Sequence, residues 1–123
     1  MDTNEIEVNG VVYVKKGTES NLAPETDGMR YCVIRTYTAG VHIGYVEQFG
    51  SDNNPQYVKL LKSRRLYYWE GACSLSQVAM DGVSDNSKIA MEIPEIELTD
   101  AIEIIPCSEK AAKFFIGAKV WKS

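Results

Sequence analysis

The chain has 123 residues and a mass of 13.7 kDa, the size of one ordinary domain, which buries roughly two-thirds of its unfolded surface without disulfide staples. Apolar residues make up 45% and charged residues 24%, a globular balance that excludes disorder throughout the chain. A formal charge of -4 and a pI near 5.0 exclude a general coat for duplex DNA or anionic membranes, and no apolar run is long enough to span a bilayer.

The start, MDTNEIEV, is acidic where a secretory leader would be basic and then apolar, so a cytoplasmic location is expected. Residues 1–16 read as an N-terminal β-hairpin appendage: Asn9-Gly10, a dipeptide suited to a type I′ turn, separates Ile6 and Val8 from Val11 to Val14. Residues 17–29 are polar and rich in turn formers, a loop or linker, and residues 30–123 form a single β-rich domain. Within it, Arg30 to Thr38 and Val41 to Phe49 are dense in β-branched and aromatic residues and predict two strands broken at Ala39-Gly40. Gly44 inside the second run predicts a bulge or a close backbone approach. After the turn cluster 50–55, Tyr57 to Leu61 and Leu66 to Trp69 predict two short strands.

Ser74 to Gln77 fits a capping box that opens a two-turn helix closed by Gly82. Lys88 to Ile93 alternates polar and apolar residues, Pro94 marks an edge or bulge, and Ile96 to Leu98 and Ala101 to Ile105 resume as strands. Ser108 is the N-cap of a second helix that stops at Gly117, and Lys119 to Lys122 predict a last edge strand. The expected fold class is α+β and mainly β, an antiparallel sheet or small barrel-like sheet with two short helices.

Cys32, Cys73 and Cys107 are an odd, widely spaced set without a C-x-x-C pair, so reduced, buried thiols are expected rather than a disulfide framework or a metal site. His42 has no obvious partner and is expected on a sheet face. Glu95 and Glu97 share a strand face and read better as solvated charge than as a carboxylate dyad. H-E-x-x-H, G-x-S-x-G and Gly-rich phosphate motifs are all missing, so no catalytic residue and no cofactor is assigned and the chain is read as a non-enzyme.

Charge is segregated. Arg30 to Arg65 holds six cations against two acids, whereas Asp81 to Glu109 holds eight acids against Lys88 alone. Such a chain can present a basic pocket within an acidic whole, or the two surfaces can simply neutralise each other. The densest constellation is Lys62 to Trp69. On a strand, Arg65, Tyr67 and Trp69 share one side, and Arg64, Leu66 and Tyr68 the other. Guanidinium groups beside rings suit a nucleotide, with arginine on phosphate and a ring on the base. On the residues alone they suit better a sheet core of aromatics with arginines lying over it. Arg35 and Tyr37 repeat the pattern, and the turn Thr36 to Gly40, including Thr38, offers donors for an anion or forms an ordinary turn.

Three stretches, Val33 to Gly44 (VIRTYTAGVHIG), Arg64 to Ala72 (RRLYYWEGA) and Ala101 to Cys107 (AIEIIPC), resemble a family of small phage and prophage proteins catalogued as a domain of unknown function. The likeness runs from about Arg30 to Trp121. The same pattern is similar to the Thoeris anti-defence sponges, phage proteins that sequester a cyclic ADP-ribose signal. That resemblance implies a β-rich, non-catalytic homo-dimer or higher homo-oligomer holding a cyclic nucleotide-type small molecule. On chemistry, the ligand-binding candidates are then Arg35, Arg64 and Arg65 for phosphate, Tyr67, Tyr68 or Trp69 for base stacking, and Tyr37 and Thr38 beside them. The competing expectations are a protein–protein interaction module docking on a host protein through the acidic face, and a minor virion component.

Overall fold

The computed structural model describes residues 6–8, 10–12 and 22–121. Near the start, β1 (Ile6–Val8) pairs antiparallel with β2 (Gly10–Val12), with Val8 opposite Gly10. Gly10, expected in the turn, is paired in β2; the rest of 1–16, and residues 17–21, lie outside the described residues. Residues 22–29 are tied to the body, because Ala23 N donates to the Cys107 carbonyl at 3.0 Å and Leu22 bridges Ser108.

The body is a six-stranded open antiparallel sheet. Its strands are β3 (Tyr31–Thr36), β4 (Val41–Ser51), β5 (Asn54–Tyr68), β6 (Lys88–Ile89), β7 (Ile93–Leu98) and β8 (Ala101–Pro106). The order is β6-β5-β4-β3-β8, with β7 also pairing β5. Strands β7 and β8 are consecutive in the chain yet flank opposite ends of the β5-β4-β3 core. The sheet accordingly curls, and Leu98 of β7 and Ala101 of β8 meet in one cluster with Cys32, Ile34, Val46, Val58 and Leu60. The other face carries Tyr31, Val33, Ile43, Leu66 and Ile89, covered by α1 (Leu75–Asp81) and α2 (Glu109–Gly117) through Val78, Ala79, Ala111 and Phe115. The alternation of β3 thus feeds both clusters, and its first four residues are all buried.

The two short strands predicted around the basic stretch are one strand of 15 residues, interrupted by a bulge. Ile43 pairs with Arg64 and Tyr45 with Leu61, so Lys62 and Ser63 together oppose Gly44. Lys62 has φ 51°, and a Cβ on Gly44 would stand 3.0 Å from the Leu61 carbonyl oxygen. Both readings of Gly44, a bulge and a close approach, hold together. The extra residue reverses the side-chain parity: Val58 and Leu60 fill one cluster, and Leu66 fills the other.

Both helix starts are capped as predicted. The Ser74 Oγ accepts from Gln77 N, and the Gln77 side chain takes the Cys73 N–H. Ser108 Oγ accepts from Ala111 N at 3.0 Å. Other predicted boundaries move. Strand β6 has two residues, Pro94 sits inside the edge strand β7, and Gly117 is the last residue of α2. Lys119 to Trp121 is not a strand, although Trp121 N donates to the Ile89 carbonyl at 2.9 Å.

Candidate functional site

Register decides what the predicted binding residues can do together. Glu103, Arg35, Val41, Leu66 and Ile89 form one row across the sheet, and Ile34, His42 and Arg65 form the next. Directly opposed residues share a face, so Arg35 leaves the sheet on the helix-covered side and Arg65 on the other. The two arginine–aromatic patterns lie at one end of the sheet but on opposite faces and do not converge.

Arg35 is paired with Glu103 at 3.5 Å, both side chains about half exposed. The Thr36 to Gly40 turn already holds an anion. The Asp100 carboxylate accepts from Thr38 N at 2.9 Å and from Thr38 Oγ1, and the Asp100 carbonyl accepts from Tyr37 N. Those bonds hold the Asp100 carboxyl below its usual range. His42, on the opposite side of the turn, places Nε2 2.9 Å from the Ala39 carbonyl, and burial lowers its pKa. Tyr37 extends from the turn and is 80% exposed.

Arg64 requires a correction. Its side chain is buried: Nε donates to the Ala90 carbonyl at 2.8 Å, and Nη1 donates to the carbonyls of Phe115 and Ala118, each at 2.7 Å. The reason is in the strand alternation, which puts Arg64 on the same side as Leu66, and that side is core. With no basic residue in its own last turn, α2 has its C-terminal carbonyls satisfied from β5. Trp69 is likewise half-buried against the helix-side cluster.

Besides Tyr37, three predicted residues remain open, and two unpredicted ones join them. The Arg65 guanidinium lies 5.9 Å from the Tyr67 ring centroid. Tyr67 meets Trp121 edge-on at 5.7 Å. The Lys88 ammonium lies 5.2 Å from the Trp121 ring and 5.7 Å from that of Tyr68. Tyr67 and Tyr68 are 57% and 44% exposed, and Trp121 37%. Among the described residues neither Arg65 nor Lys88 has a carboxylate partner within ion-pair distance. Trp121 lies too far along the chain for strand alternation to reveal it. A lone tryptophan in a charged tail was the available signal.

The acidic half is partly neutralised within the chain. Lys59 bridges Glu47 at 3.1 Å and Glu95 at 3.7 Å, while Tyr57 donates to Glu97 at 3.0 Å. Glu95 and Glu97 therefore belong to a cross-strand ladder on β5 and β7. Cys32 and Cys107 are buried and Cys73 is exposed, all three as free thiols.

Residues 29–115 match a family described as a domain of unknown function, DUF6948. No curated protein and no solved structure matches the chain.

Proposed function

Since that match spans more than half of it, the chain belongs to the DUF6948 family, and we propose that it is a non-catalytic binding protein that captures a nucleotide-derived signal on the cluster of Arg65, Tyr67, Tyr68, Lys88 and Trp121. One observation carries the reading: three exposed rings and two cations without carboxylate partners among the described residues share one edge of a well-packed sheet. Exposed rings offer π-faces to a base, worth roughly 1–3 kcal/mol for each base stacked. Arg65 and Lys88 supply the positive charge that a phosphate requires. The likeness to phage anti-defence sponges supplies the biological setting, sequestration of a cyclic ADP-ribose or cyclic oligonucleotide signal in the host cytoplasm by a homo-dimer or larger homo-oligomer. Docking on a host protein through the acidic face has less support, because Glu95, Glu97, Asp100 and Glu103 already have partners in the chain.

Mass spectrometry of small molecules released on heating the freshly purified protein, with calorimetric titration of cyclic ADP-ribose, tests the proposal. Release of an intact nucleotide, or binding that Tyr67→Ala weakens at least tenfold, is the expected result. An empty supernatant together with no heat of binding overturns it, and recovery of a single host protein by pulldown would then favour the docking module.

A further inference from the structure

On the helix-covered side of the sheet, between the 84–87 segment and the end of α2, lies a cavity of about 320 Å³. No side chain of the ring cluster lines it. Its polar lining is Ser84, Asp85, Ser87 and Lys119, and Ile89 and Phe114 form apolar walls. The volume is at the lower end of the range for small-molecule sites, about 300–1,000 Å³, and suits a compact ligand.

Both segments that supply the polar groups are held in place. Ser84 N donates to the Glu70 carbonyl at 2.8 Å and Ser87 N to the Ser84 carbonyl at 3.1 Å, which fixes the turn carrying Asp85. Lys119 follows Ala118, whose carbonyl accepts from Arg64 at 2.7 Å, and precedes Trp121, whose N–H donates to the Ile89 carbonyl. Asp85 and Lys119 thus line one cavity as opposite charges on anchored backbone. Among the described residues neither forms an ion pair, with the other or with a third group. Ser84 Oγ accepts from Asn86 N at 3.3 Å and Ser87 Oγ from Glu70 N at 3.1 Å, so both hydroxyl protons are left to donate.

A purely anionic ligand would meet the Asp85 carboxylate here, and a purely cationic one the Lys119 ammonium. A zwitterion, with both charges carried on one carbon, matches both groups at once. We infer that the cavity is a second binding site, separate from the ring cluster, for a free α-amino acid with an apolar side chain. Lys119, Ser84 and Ser87 donate to its carboxylate, Asp85 accepts from its ammonium, and Ile89 and Phe114 receive its side chain.

The experiment is calorimetric titration of the full chain with L-leucine and three analogues: isocaproate, which lacks the ammonium, isoamylamine, which lacks the carboxylate, and glycine, which lacks the side chain. Native protein is expected to bind leucine saturably at millimolar concentration or below, and at least tenfold more tightly than each analogue. Asp85 and Lys119 are both exposed, so substituting them leaves the core untouched. Asp85→Asn should erase the margin over isocaproate and keep that over isoamylamine, and Lys119→Gln should do the reverse. Absence of saturable leucine binding, glycine binding as tightly as leucine, or either margin surviving its own variant overturns the inference. None of these results bears on nucleotide capture at the ring cluster, whose residues lie outside the cavity.

Discussion

The Arg64 guanidinium lies 2.7 Å from the carbonyl of Phe115, 51 positions further along the chain, and makes an equal bond to Ala118. A strand thereby fixes the end of the helix that packs over it, and the chain leaving that helix reaches Ile89 through Trp121. Arg64 is a positioning residue for the candidate site. Arg64→Ala deletes three charge-assisted bonds and leaves a buried void, so a loss of about 3 kcal/mol or more is expected in urea unfolding. Arg64→Lys should rescue little of it, because a single ammonium nitrogen cannot stand at both Nη1, which serves Phe115 and Ala118, and Nε, which serves Ala90. Unchanged stability in Arg64→Ala would contradict this role.

Gly44→Ala places a methyl group 3.0 Å from the Leu61 carbonyl oxygen and 3.2 Å from the Ser63 Cα. Both obstacles are backbone, so the bulge must shift rather than a side chain turn away. The expected cost is about 1–3 kcal/mol, read as a lower thermal midpoint. Gly40→Ala meets no neighbour within 4 Å but requires φ 86°, and should cost about 1 kcal/mol through backbone strain alone.

Acid should loosen the β3–β4 turn in two stages. Burial lowers the pKa of His42 from its ordinary 6.5, so the unfolded chain binds that proton more readily. The corresponding stability is complete above pH 6.5 and falls as the pH drops below it. The carboxyl of Asp100 is held below its ordinary 3.8 by Thr38, a contribution present above that value and lost as the pH falls through the depressed one. Thermal melts of His42→Gln should be flatter in the upper window, and the Thr38 amide resonance should move only in the lower.

Thiol labelling at pH 8 should modify one cysteine per native chain, Cys73, and all three after unfolding. Burial pushes Cys32 up to about 11 and Cys107 up to about 12, so neither forms appreciable thiolate at that pH. Rapid modification of more than one thiol in native protein would contradict the packing around β3.

Local chemistry was legible in the residues themselves. Ser74 and Ser108 announced the helix starts, and Gly44 announced the bulge, because each acts through neighbours a few positions away or through its missing side chain. Arg64 and Arg65 were not separable as ligands, since their composition is alike and only the core role of Leu66 assigns Arg64 to the inside. The Thr38–Asp100 contact spans 62 positions, and the meeting of Tyr67 with Trp121 depends on α2 ending where Arg64 holds it. Those placements come from topology, which strand periodicity does not encode.

Strand β3 sends Tyr31 and Val33 to one apolar cluster and Cys32 and Ile34 to the other. Neither cluster can melt while its counterpart stays ordered, because both draw on the same six-residue stretch. Calorimetry of residues 22–121 should therefore register a single cooperative transition, with the amides of β3 the last to exchange against deuterium.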